Sequence, residues 1–186
     1  DLNPRWKVLP VDGLSPIHKD FDAATYRLTI PISLNADPSL VELIRSNFVI
    51  APSNRDASRM TIVAMTGVTA LVRATAATME RRGMLYPAQD IREWLSDADI
   101  THISNEVPFA VDCPQPNPRQ EEIRFCSQDE YIQLLEDVGT DVVELTGDHF
   151  QDWGTQAMYH TLEMYRERNW LHYGGGENLA EGRKAL

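Results

Sequence analysis

Positive charge and cysteine are scarce in this chain, and each shortage excludes something. Seventeen Lys and Arg face 28 Asp and Glu across 186 residues, a formal net charge of −11. Such a surface repels phosphate backbones. The concentrated cations, Arg81-Arg82 and Arg166/Arg168, lie in helical surroundings of mixed charge, so nucleic acid is not an expected partner. No apolar run approaches the ~20 residues of a membrane-crossing helix. The two cysteines, Cys113 and Cys126, stand 13 positions apart with no C-x-x-C or Cys/His cluster, which excludes zinc-finger chemistry. No Ser/His/Asp or Cys/His arrangement can be argued either. Gly174-Gly175-Gly176 lacks a following Lys-Ser/Thr, which excludes a P-loop; it reads as a strand-to-helix turn with Asn178 as cap. There is no internal repeat.

What is present is an alternation of strand and helix signals from Met60 onward. Thr61–Met65 reads as a strand closed by Thr66-Gly67, Ala70–Arg82 as a helix ended by Gly83, and Pro87–Asp97 as a second helix. Ile100–Ser104 is the next strand. Ser127 with Glu130 forms a capping-box pattern that starts a helix running to Val138. Val142–Leu145 is a strand, Gln156–Arg168 a helix, Trp170–Tyr173 a short strand, and Leu179 opens a last helix. This order predicts an α/β fold, a layered, mostly parallel sheet with helices on both faces. His102 falls mid-strand and reads as a core residue.

Residues 1–57 differ. Trp6–Gly13 reads as a strand into a turn and Tyr26–Ile32 as an edge strand. Asp37 and Pro38 set up a helix to about Phe48, and 51–58 read as a linker. The segment has too little apolar surface to stand alone. It is expected to be the tail of a preceding domain or a packing arm, with 58–186 as the α/β domain. Beginning at Asp1, the chain reads as a trimmed or excised piece of something longer.

The stretch with most chemical content is Asp141–Gly154. A β-forming run stops at Thr146-Gly147, and Asp148, His149 and Asp152 follow. Open α/β sheets place their sites at the C-terminal ends of strands. Three such tips are expected to converge: Thr66-Gly67-Val68, Ser104-Asn105-Glu106 and Gly147-Asp148-His149. Carboxylates and an imidazole meeting there suit a divalent-metal hydrolytic site. The plainer alternative has Asp152 capping the next helix, with Asp148 and His149 merely solvated. Trp153 adjoins the tip and could stack on a substrate. Between the cysteines lie Pro114, Pro116 and Pro118. A disulfide across this loop would contribute about 3 kcal/mol and needs an oxidising compartment; two buried thiols is the alternative.

Several motifs resemble one family. VVELTGDHFQDWG is similar to a strand followed by N-N-H-x-x-D-x-G, and LHYGGGENLAEGRKAL to a Val-Gly-Ala-Gly-x-Asn-x-x-x-Ala-Arg segment. DADITHISNEVPF resembles a strand ending in N-L-E-x-P, and IVAMTGVTALVR resembles a G-D-V-M-L-G-R strand, with Arg73 on its Arg. Together, from about Met60 to Leu186, they resemble the bacterial capsule-synthesis CapA, or poly-γ-glutamate capsule, proteins, of calcineurin-like metallophosphoesterase fold. The resemblance implies metal ligation by Glu106, Asp148 and Ser104, with His149 and Asp152 as catalytic residues. It implies Mn²⁺ or Mg²⁺ as cofactor, held weakly or not at all. The family's first metal-binding Asp falls on Val68, the Asn of its second motif on Ser104, and its later His motifs beyond residue 186. The implied fold is therefore an incomplete metallophosphoesterase-like one, acting at the cell envelope or outside the cell. Its partners would be an envelope polymer or a phosphate-containing small molecule, and the rest of its own longer chain or other capsule proteins. An active hydrolase and a non-catalytic interaction domain are the alternatives.

Overall fold

A computed structural model describes residues 8–19, 21–49, 51 and 53–185. The chain divides into two compact units, Asp1–Met60 and Thr61–Leu186.

In the first unit α1 (Pro38–Asn47) is entered as expected, and a 3₁₀ turn follows at Ala57–Arg59. The Asp37 carboxylate accepts from the Ser39 hydroxyl and N–H at 2.7 and 3.1 Å, which holds its pKa below the usual value, and Pro38 occupies the first turn. None of its residues is buried. The edge strand expected over 26–32 does not form: its apolar residues alternate, but among the described residues no neighbouring strand bonds to them, and Ile30 and Ile32 stand almost fully in solvent. Of the strand expected over Trp6–Gly13, the residues up to 7 lie outside the described ones. The remainder is a tight turn, Val11 bridging Leu14 around Asp12 and Gly13, both at positive φ.

The second unit is built on a four-stranded, all-parallel sheet in the order β1 (Val63–Val68), β2 (Ile100–Ser104), β3 (Val142–Glu144), β4 (Leu171–Tyr173). Sequential order with helical crossovers is what the strand–helix alternation specifies. On one face Ile103 and Val143, followed by Leu145 just past β3, form a single core with helix residues. These come from α2 (Arg73–Arg82), α4 (Ile132–Asp137) and α5 (Gly154–Glu167), and include Met79, Leu135, Leu162 and Tyr165. The opposite face is open at its edges, where Val63, Met65 and Leu171 are half exposed or more, so full cover on both faces is not realised. His102 on that face is buried, its Nε2 2.8 Å from the Tyr173 hydroxyl.

Among the boundaries that moved, three have a clear cause or consequence. β1 runs through Thr66-Gly67 instead of stopping there, because a register shift between Met65 and Val68 lets the pairing resume at Val68–Ser104. The helix expected over Pro87–Asp97 is broken into a 3₁₀ turn (Tyr86–Ala88) and the five-residue α3 (Arg92–Ser96). Ser127 is not a cap: it is fully buried and its hydroxyl donates to the Leu71 carbonyl at 3.0 Å, while the chain enters α4 through a 3₁₀ turn at Asp129–Tyr131. A long-range partner outcompeted the local one.

Past β4, Asn178 caps the short α6 (Leu179–Gly182), as its sequence position suggests, by accepting from the Glu181 N–H. The Glu181 carboxylate in turn accepts from the Glu177 N–H at 2.7 Å and from Arg166 at 3.2 Å, with His172 at 3.5 Å. These partners, the Glu177 N–H foremost, hold its pKa below the ordinary value. A carboxyl whose folded pKa is depressed stabilises above its usual pKa and loses that contribution as pH falls. Protection of the Glu177 amide, relative to the intrinsic exchange rate at the same pH, is therefore expected to fall as pH drops below 4.5. In Glu181→Gln that protection is expected to be reduced already at neutral pH and not to change further in acid.

Candidate functional site at the strand tips

Because β1, β2 and β3 are adjacent and parallel, their C-terminal ends share one rim. Val68, Ser104 and Glu144 lie in register across it. The backbone is stitched beyond the strands: Thr69 N–H donates to Ser104 O at 2.7 Å, and Asn105 N–H to Glu144 O at 3.1 Å. The next loops pack more tightly still. A Cβ on Gly147 would lie 1.8 Å from Glu106 Cβ and 2.8 Å from Glu106 Cα, so only a glycine admits Glu106 at this place.

The expected site residues thus occupy one rim, in two groups. In the first, the Ser104 hydroxyl donates to Glu144 Oε2 at 2.6 Å, and Glu144 Oε1 accepts from the Thr146 N–H at 2.8 Å. In the second, His149 Nδ1 lies 2.7 Å from Asp152 Oδ2, and its Nε2 lies 3.6 Å from Asp148 Oδ1. The His149 side chain is 16% exposed and that of Asp148 87%. Asp152 does not cap α5, whose N-cap is Trp153 without a side-chain bond. Its Oδ2 instead accepts from the Phe125 N–H at 2.8 Å as well as from His149. A carboxylate can only accept, so it places the imidazole proton on Nδ1 and leaves Nε2 to take or give a proton. The Phe125 ring packs edge-on against the imidazole at 4.7 Å and fixes its plane.

Arg73 completes the arrangement. Its guanidinium lies 4.5 Å over Phe125, its φ is +48°, and its Nε is buried without a hydrogen-bond partner. Phe125, Arg124 and Glu144 carried no sequence signal. Phe125 and Arg124 arrive through the cysteine loop, joined as Cys113–Cys126, and Glu144 is one more residue of a buried strand.

The Ser104 hydroxyl is spent on Glu144, the Asp148 carboxylate points largely into solvent, and Val68 offers no donor. Among the described residues, no three of His, Cys, Asp and Glu come together as a metal ion requires.

The profile of the family described as bacterial capsule synthesis protein PGA_cap matches residues 62–186, the whole of the sheet and its rim. The chain belongs to this family. A curated relative, the capsule biosynthesis protein CapA of Bacillus anthracis, is 20% identical over 138 residues. The match covers 74% of this chain and 33% of the relative, so the chain spans about a third of that protein's length. The PGA_cap segment contains every residue of the rim from Val68 to Trp153, with the disulfide loop between them.

Proposed function

We propose that the chain serves the biosynthesis or export of a bacterial capsule at the cell envelope, through a strand-tip rim of metallophosphoesterase type whose metal site is degenerate. The observation that carries this reading is the oriented His149–Asp152 pair at the tip of an inner parallel strand, inside the segment matched by the family. The ligand would be an envelope polymer, poly-γ-glutamate by the resemblance, or a phosphate-containing small molecule. The partners would be the remainder of a longer chain or other capsule proteins. Asp148 and Glu106, on touching loops, would hold a single Mg²⁺ or Mn²⁺ loosely through hard oxygens. Calorimetric titration with Mn²⁺ is expected to give one weak site, with Kd of about 1 mM, and Asp148→Ala is expected to abolish any Mn²⁺-dependent rise in Tm. A tight two-site isotherm would overturn the degenerate centre.

A working metal-dependent phosphoesterase is the second reading, favoured by the imidazole whose Nε2 is left available at the rim. It requires that the full-length gene product cleave bis(p-nitrophenyl) phosphate in Mn²⁺, and that His149→Asn reduce the rate by ~100-fold or more. Absence of both metal binding and cleavage leaves a non-catalytic envelope interaction domain.

A further inference from the structure

We infer that the groove between the start of α5 and the disulfide-clamped arms is a saccharide-binding subsite, one that takes a hexose ring of a glycan. The groove has a volume of about 420 Å³, within the range of small-molecule sites. One side is the first turns of α5, where Trp153, Gln156, Ala157 and His160 follow one another at helical spacing and line it together. The other side is the pair of arms clamped by Cys113–Cys126, which bring Val111 and Asp112 from one arm and Arg124 from the other. The arms are also joined by the Phe109–Ser127 bridge, so this wall is held before any ligand arrives.

The side chains are fixed in the same way. The Trp153 indole N–H donates to Asp112 Oδ1 at 2.9 Å, which sets the plane of the ring. Arg124 lies 4.5 Å from the centre of that ring, and its Nε donates to the Asp152 carbonyl at 2.9 Å. A flat, immobilised indole and guanidinium are what the apolar face of a pyranose stacks on. His160 Nε2 is taken by Asp129 Oδ2 at 2.8 Å, which leaves Nδ1 toward other partners. Asp112 Oδ2 and the exposed Gln156 amide add an acceptor and a mixed donor–acceptor. Donors and acceptors therefore both line a groove that holds an aromatic ring, the combination hydroxyl groups need.

Charge argues against a polyanion in the groove. Arg124 and Asp112 both line it with opposite charges, and His160, paired with Asp129, is charged only if protonated. The lining is close to neutral, on a chain of net charge −11. The subsite does not depend on a metal or on hydrolysis at the rim. Asp152 links the two places, holding His149 through its side chain and Arg124 through its carbonyl.

The test uses the full chain in EDTA, with chitotriose, maltotriose and a glucuronate disaccharide as probes, read by Trp fluorescence and by calorimetry. At least one probe is expected to bind with Kd of about 1 mM and to shift the fluorescence. Trp153→Phe is expected to lose the fluorescence shift, and Gln156→Ala, an exposed change that spares the fold, to weaken binding several-fold. Asp148→Ala is expected to leave it unchanged. Failure of all three probes overturns the inference, as does equal binding by Gln156→Ala and Trp153→Phe, or binding of a poly-glutamate peptide alone. Because metal is absent from the assay, a failed Mn²⁺ titration and a failed saccharide titration are separate results.

Discussion

Gly147→Ala is expected to destabilise the 61–186 unit by about 3 kcal/mol, the upper end of the cost of forcing an extra methyl into packed surroundings. The new Cβ would stand 2.8 Å from Glu106 Cα, a backbone atom, so no side-chain rotation relieves the overlap. The β2 and β3 loops must part, and the parting acts at the rim. Asp148 and His149 follow directly in sequence, so the 2.7 Å bond from His149 to Asp152 is expected to lengthen with it. Urea denaturation gives the first quantity, and the ¹H–¹⁵N signals of the His149 ring report the second. Gly67→Ala is the control: no atom lies within 4 Å of its added Cβ, and the expected change is under about 1 kcal/mol. Equal midpoints for the two variants would show that the β2 and β3 loops are not in contact.

Removal of the disulfide is expected to have an effect of the same size by another route. Cys113 and Cys126 close a loop of 13 positions, and releasing it returns chain entropy to the unfolded state worth about 3 kcal/mol. For a unit of this size that is a fall in Tm of about 10 °C, read by comparing melting with and without dithiothreitol, and in Cys113→Ala/Cys126→Ala without reductant. The loop also carries Phe125, whose N–H bonds Asp152 and whose ring packs on His149 and under Arg73. Loosening it is therefore expected to broaden the His149 signals at temperatures where the core is still folded. An unchanged Tm on reduction would mean that the core and the Phe109–Ser127 bridge hold the arms unaided.

Much of the α/β framework is readable along the chain because its signals are local. Ile100–Ser104 is a strand of the same bounds as its apolar, β-branched run. Gly83 ends α2 at φ +107° where a Gly after a helical run is expected, and Asp37 and Asn178 cap where their spacing says. The misreadings share one cause. The 26–32 alternation, the Ser127 capping box and the early end of β1 are local patterns, each decided elsewhere: by the lack of a pairing strand among the described residues, by the Leu71 carbonyl, and by Ser104 in register with Val68.

From order and composition alone came a strand–helix alternation, hence parallel strands, hence one edge on which Ser104, Glu106, Asp148 and His149 would gather. Residue types settle which atoms can accept or carry a proton, and these are properties of single side chains. Tertiary structure alone decided which of them meet. It turned Asp152 from a helix cap into the orienting partner of His149, tied Ser104 to Glu144, and set Phe125, with Arg73 over its ring, beside an imidazole it is far from in sequence. Each of those contacts depends on loop closure and register, quantities that no local window of residues contains.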